Sequence, residues 1–336
     1  MLIIGLPKKK LSDDDRIWLG APQVSGVILF SRNYANLDQV TELIDDIRME
    51  RPEDEFLICV DQEGGPVQRF RQGFTALPAL ARIGEIHDVD PARAVALAEE
   101  HAWLMASEMR AIDVDLSFAP VADLARGNLA IGERAFHADP AVVSELVQAY
   151  ARGMRLAGMA VTLKHFPGHG SVLADTHFDD ALDDRSLDEL RRTDLLPFLD
   201  GFAAGADAVM LAHVVYPQVD VRAAGYSSIW IGDVLRRDSH FDGIVIGDDI
   251  GMAAAESIGS IEQRIHAHLH AGCDLILACS PSIVEEAITA SDKLPPCAAE
   301  RVSRLRGSVA PTWEALLDNP KRDAVIERLS SLLPPT

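Results

Sequence analysis

Short apolar runs recur along the chain, each four to seven positions long and separated by longer stretches of helical spacing. They are Leu2–Gly5, Val24–Phe30, Phe56–Val60, Val114–Phe118, Met159–Leu163, Ala208–Leu211, Gly243–Ile246 and Asp274–Ala278. They are rich in Val, Ile and Leu and apolar almost throughout instead of alternating, as strands covered on both faces read in a parallel sheet. Between them, Ala92–Ile112 and Pro140–Leu156 carry helix formers with little Gly or Pro. Ser186-Leu187-Asp188-Glu189 has the form of a capping box. It opens a helix expected to run through Leu190, Leu195, Leu196 and Phe198, with Pro197 as a kink. Glu262–Leu269, Pro281–Ala290 and Trp313–Leu333 continue the alternation. About eight strands alternating with helices predict a single (β/α)8 TIM-type barrel, with an open flavodoxin-like sheet as the alternative. No Gly/Ser-rich linker or repeat interrupts the chain, so residues 1–336 are read as one barrel domain with C-terminal helices at about 311–335.

The residues that end the apolar runs carry the chemistry. Ile58-Cys59-Val60 ends in Asp61, Val161-Thr162-Leu163 in Lys164-His165, Met210-Leu211-Ala212 in His213, and Ile244-Val245-Ile246-Gly247 in Asp248-Asp249. In a barrel these C-terminal strand ends open onto one face, so carboxylates, an ammonium and two imidazoles converge on one cavity. Any one acidic residue there is explained as a cap for the next helix; the set, with Gly-rich turns around it, reads as a site.

Lys164-His165-Phe166-Pro167-Gly168-His169-Gly170 has the H-x-x-x-H spacing of a metalloprotease helix, but its Pro and Gly break such a helix. The segment is read as a loop leaving a strand, continuing to Asp175-Thr176-His177. Asp175 is placed to accept from one ring nitrogen of His177, which fixes the tautomer and makes the imidazole a general acid/base.

Composition narrows the class. The chain has 336 residues, 48% hydrophobic and 25% charged, with a formal charge of −21. A sizeable core is available, and no basic stripe points to nucleic acid. The basic cluster Lys8-Lys9-Lys10 follows the apolar Met1–Leu6 instead of preceding it, and no run approaches the length of a membrane span. The four cysteines, Cys59, Cys273, Cys279 and Cys297, lack C-x-x-C spacing and read as free thiols. A cytoplasmic protein with no membrane partner is expected.

Together the motifs resemble a known family. KHFPGHG at Lys164–Gly170, followed by Asp175-Thr176-His177, is similar to the bacterial β-N-acetylhexosaminidases of glycoside hydrolase family 3 that act in peptidoglycan recycling. Asp61-Gln62-Glu63-Gly64-Gly65 with Val67-Gln68-Arg69-Phe70, Gly132-Glu133-Arg134-Ala135-Phe136 and Asp248-Asp249-Ile250-Gly251-Met252 match in order, over about residues 20 to 280. The resemblance implies Asp248 as nucleophile, His177 as acid/base and Asp175 as its partner. It implies Asp61, Arg69, Arg134, Lys164 and His165 as sugar-binding residues, with His213 a further candidate. It also implies a small carbohydrate or muropeptide substrate, a monomer, and no cofactor or metal. Two departures stand out: Gly247 replaces the usual Ser before the nucleophile, and Pro66 the usual Arg after Gly65.

The rival readings are an amidohydrolase-type metal enzyme and a non-catalytic sugar-binding barrel. His266-Ala267-His268 offers H-x-H spacing, but in a helical stretch, where positions i and i+2 do not face each other. Retention of Asp175, His177 and Asp248 together speaks against a barrel that has lost its chemistry. No G-x-S-x-G elbow and no G-x-G-x-x-G fingerprint is present.

Overall fold

The computed structural model describes every residue except 54, 173–180, 257, 295–296, 309–310 and 335–336. Eight parallel strands run β1 (Leu2–Gly5), β2 (Val24–Leu29), β3 (Leu57–Val60), β4 (Leu116–Ser117), β5 (Thr162–Phe166), β6 (Ala208–Leu211), β7 (Ile244–Gly247) and β8 (Leu275–Ala278). They pair in the order β4-β3-β2-β1-β8-β7-β6-β5. The two ends of this ladder meet through the segment after β4. Thr162 N donates to Ala119 O at 2.9 Å, Lys164 N to Pro120 O at 3.2 Å and Ala122 N to Lys164 O at 2.7 Å. The sheet is thus a closed (β/α)8 barrel, and the open-sheet alternative falls because both edges are paired.

Alternation along the strands separates two cores. Ile3, Ile28, Leu57, Cys59, Met210, Ile246 and Leu277 belong to one buried cluster that fills the barrel. Their strand neighbours Ile4, Val27, Ile58, Val209, Val245 and Ile276 join the larger cluster between strands and helices.

Pro140–Leu156 and Pro281–Ala290 form helices with the expected bounds, and Ala92–Ile112 appears as Pro91–Arg110. The Ser186 capping box is present, with Ser186 Oγ accepting from Glu189 N and the Glu189 carboxylate accepting from Ser186 N at 2.8 Å. The helix it opens is shorter than expected. It ends at Arg191, and a second runs over Leu196–Ala203, because Pro197 fits only in a first turn, where its missing N–H costs nothing. Helices Asp13–Gly20, Leu37–Glu50 and Leu80–His87 were not expected from the pattern. At the C-terminus Trp313–Leu317 and Pro320–Ser330 are two helices, and Trp313 meets Phe74 edge-on at 5.1 Å. No helix among the described residues is long and apolar enough to cross a membrane.

One further correction bears on the site. Lys164 and His165 lie within β5, not in a loop leaving it, and the register of β5 against β6 shifts between Leu163 and Phe166. Polar residues ended the apolar run, although the backbone continues as strand wherever a cavity, not a core, receives the side chains.

At the opposite end of the barrel Asp115, fully buried, collects three guanidinium groups. It accepts from Arg48 at 2.5 Å, Arg110 at 3.2 Å and Arg306 at 3.1 Å, and from Ile58 N at 2.8 Å. Replacing Asp115 by Ala leaves those cations with only the half-exposed Asp113 as a shared carboxylate, which should cost ~3–5 kcal/mol of stability. Denaturant unfolding of the variant measures that loss. The folded fraction should keep its active-site chemistry.

Candidate active site

The C-terminal ends of the strands surround a cavity of about 560 Å³. Its lining includes Asp61, Arg69, Arg134, Lys164, His165, His213 and Asp248, which the sequence had scattered over almost 190 positions. Asp175 and His177 lie outside the described residues.

The cavity wall is an ionic cluster built on β3 and β5. Lys164, buried in β5, places its ammonium 2.9 Å from Asp61 Oδ1 and 2.5 Å from Glu63 Oε1. Arg134 forms two parallel hydrogen bonds to Glu63, both 2.9 Å, and a third to Ala130 O at 3.0 Å. Arg69 reaches Asp61 at 3.3 Å. Its backbone is fixed by Gln62, whose side-chain oxygen accepts from Arg69 N and Phe70 N while its amide donates to Phe70 O. The hairpin between Asp61 and Arg69 turns at Gly64 and Gly65, with φ +99° and +53°, close against Leu77–Ala79, where a side chain would be strained and would clash.

Burial alone would raise the Asp61 carboxyl, but Lys164 and Arg69 outweigh it and hold it well below the usual carboxylate range. Glu63 is likewise raised by burial and brought down, on balance, by Lys164 and Arg134. Three cations against two carboxylates leave one net positive charge. Such a wall presents fixed donors and carboxylate acceptors to sugar hydroxyls.

A second group lies beside it. Asp123, fully buried, accepts from His165 Nδ1 at 2.7 Å and from the His165 and His169 amides at 3.1 and 2.6 Å. Asp123 therefore fixes the tautomer of His165, leaving Nε2 as the other hydrogen-bonding atom of the ring. Burial pulls His169 down to about 4, so it is neutral near pH 7.

Asp248 directly follows β7 and is half-buried at the cavity. Its Oδ1 accepts from Asp249 N at 2.8 Å. Burial would raise its carboxyl; His213, His165, the Asp249 amide and Lys164 more than compensate, so it sits below the ordinary carboxylate value and is ionised at neutral pH. Asp249 behaves oppositely: burial raises it, although its carboxylate accepts from the Cys279 and Gly251 amides at 3.0 Å. His213 donates through Nε2 to Asp249 O at 3.2 Å, and burial keeps it neutral. The neighbouring carboxylates thus differ: Asp248 is a charged nucleophile candidate and Asp249 a structural anchor for the loop.

Glu63, Asp123 and His169 were not singled out by sequence. Glu63 and His169 stood inside the family-like motifs; Asp123 follows a short strand with no motif around it, and only the barrel brings it to His165.

A carboxylate at the mouth of a (β/α)8 barrel, ringed by fixed hydrogen-bond donors, suits a glycoside-hydrolase site among the chemistries this fold carries. Comparison makes this specific. The glycosyl hydrolase family 3 N terminal domain matches residues 2–305, and the chain belongs to that family. It is 59% identical over 290 residues to a beta-hexosaminidase of Stenotrophomonas maltophilia (strain R551-3), covering 86% of each chain. To a beta-hexosaminidase of Xylella fastidiosa (strain M12) it is 51% identical over 329 residues, 98% of each. NagZ from Neisseria gonorrhoeae, solved in complex with N-trifluoroacetyl-D-glucosamine, superposes with a TM-score of 0.92 at 38% identity, covering 98% of this chain and 97% of that one. The chain is a glycoside hydrolase of the β-N-acetylhexosaminidase type.

Replacing Lys164 by Met removes the ammonium that Asp61 and Glu63 share, leaving each buried carboxylate with a single arginine, and should cost ~3–5 kcal/mol at pH 7. In the native chain both pKa values are depressed, so their contribution is complete above the ordinary carboxylate range and is lost as pH falls from that range toward the depressed values. In the variant the two groups are free to protonate in the folded state on acidification. The Tm gap between variant and wild type should therefore be widest at pH 7 and narrow toward pH 4; a constant gap contradicts the ion cluster.

Proposed function

We propose that the chain is a retaining exo-β-N-acetylglucosaminidase that removes terminal N-acetylglucosamine from peptidoglycan fragments, GlcNAc-1,6-anhydroMurNAc and its peptides, in cell-wall recycling. It works in the cytoplasm as a monomer, with residues 1–336 as one catalytic domain and no cofactor. The observation that carries the reading is the Asp248 carboxylate, kept ionised at the mouth of the barrel by its neighbours despite burial. A cavity of about 560 Å³ suits a single sugar ring with its N-acyl group, in line with an exo-acting enzyme. The N-acylglucosamine bound by the gonococcal relative supports the same choice of ring.

Asp248 attacks the anomeric carbon as the glycosidic C–O bond breaks, giving a covalent glycosyl-enzyme. His177, aligned by Asp175, protonates the departing oxygen and then takes a proton from the water that releases the sugar, with net retention. Asp61, Arg69, Arg134, Lys164 and His165 hold the sugar hydroxyls, and His213 braces the loop that carries the nucleophile. An Asp and a His differ in pKa by about two to three units before any tuning, so the pair needs less environmental adjustment than two carboxylates. Attack by the substrate's own acetamido group is the competing route. The position of Asp248 at the end of β7, facing the cavity, favours direct attack.

Asp248→Asn should abolish turnover while the protein still folds and unfolds cooperatively. His177→Ala should slow substrates with poor leaving groups by ~10²–10⁴-fold while affecting nitrophenyl glycosides far less. Equal losses on both substrate types would contradict the acid role of His177.

A further inference from the structure

Gly247 ends β7 immediately before Asp248, and strand alternation turns it toward the helical layer. Behind it stands His268, from the helix Ile261–Ala271, with no exposed surface. A Cβ on Gly247 would lie 2.7 Å from His268 Nδ1, 2.8 Å from Cε1 and 3.0 Å from Cγ. A Cβ on Gly225 would come within 2.8 Å of Cε1. The imidazole occupies the space that a side chain at 247 needs, with a glycine on each flank. This accounts for the departure at 247: no serine fits there while His268 is present.

The ring is held in one orientation. His268 Nδ1 donates to Gly225 O at 2.8 Å; a carbonyl only accepts, so the proton is on Nδ1. Burial draws the ring down to about 3, so it is neutral. Its face meets Tyr226 at 4.2 Å between centroids, and both rings lie near His213, at 5.9 and 5.7 Å. His213 lines the cavity and donates to the backbone carbonyl of Asp249. A continuous chain of tilted ring contacts thus links the outer helix to the backbone on either side of Asp248, at Gly247 and at the Asp249 carbonyl. A filler alone would be better served by an apolar side chain, since burying an imidazole costs free energy that leucine does not.

We propose that His268 is a positioning residue of this active site, fixing from behind the backbone at Gly247 and the ring of His213, and through them the aim of the Asp248 carboxylate. The role rests on Asp248 as the nucleophile. Gly247 and His268 form one unit, in which the ring fills the space a side chain at 247 would need.

A double-substitution cycle on nitrophenyl N-acetylglucosaminide tests this, with kcat, KM and Tm measured for each variant. G247S forces the new side chain into the ring and should lower kcat by ~10–100-fold with KM within about threefold, as expected for a nucleophile displaced by about an ångström. H268A should lower kcat about tenfold by releasing the strand end. The double variant G247S/H268A, in which the hydroxymethyl enters the vacated space, should recover to within about threefold of wild type. H268N, which keeps a donor for the Gly225 carbonyl, should regain most of the kcat lost in H268A. If H268A lowers Tm but leaves kcat and KM of the folded enzyme unchanged, the residue only packs and the proposal falls. It falls equally if the losses multiply in the double variant. Where H268A alone does not fold, G247S against G247S/H268A carries the same comparison. D248N run alongside separates the two claims: an active D248N removes the nucleophile assignment itself, whereas an inactive D248N with no coupling in the cycle removes only the role of His268.

Discussion

A buried lysine ammonium shared between two carboxylates is the constraint on which the mouth of this barrel is built. Lys164 comes from β5, while Asp61 and Glu63 come from the end of β3 and the hairpin after it. None of the three charges is tolerable alone at that depth, since an isolated buried ion costs several kcal/mol. Each is acceptable only when the barrel is closed and the strands are in register. Arg69, at the end of that hairpin, and Arg134, from a further segment, join the same carboxylates, so three separate stretches of chain are tied to one cluster. Rigid placement follows from that mutual dependence, and rigid donors are what recognition of a sugar ring needs.

The surplus positive charge also reaches the neighbouring carboxylate. Burial pushes Asp248 toward neutrality, but the His213 and His165 rings when protonated in acid, the Asp249 amide and the Lys164 ammonium hold its carboxyl below the ordinary value, so it is ionised at neutral pH. Asp249, one residue on, is turned into backbone hydrogen bonds and is raised by its burial. Two adjacent residues of identical chemistry thus acquire different roles from their surroundings. At the other end of the barrel Asp115 gathers three arginines, away from the cavity lining.

Much of this was legible in the sequence. Eight apolar runs point to the barrel because strands covered on both faces must be apolar throughout, and the polar residues ending four of them mark the functional face. Asp61, Lys164, His165, His213 and Asp248 follow from that rule, and Arg69 and Arg134 from motif resemblance. The extent of β5 was misjudged because Lys164 and His165 interrupt an apolar pattern while the backbone keeps its ladder. The split of the helix after Ser186 turned on whether Pro197 kinks a helix or starts one, which local sequence does not decide. Asp123 and the contact between His268 and Gly247 were invisible, since each joins residues that only tertiary structure brings together. Even so, Gly247 had already stood out as a departure, and the ring behind it supplies the physical reason.

The central claim is that an ionised Asp248 forms a bond to the anomeric carbon. Incubation with a 5-fluoro N-acetylglucosaminyl fluoride, with proteolysis and mass spectrometry afterwards, reads it directly. One sugar on the peptide containing Asp248, released on prolonged incubation in water, is the predicted result. A protein that turns the reagent over with no adduct, or that carries the sugar elsewhere, would contradict it.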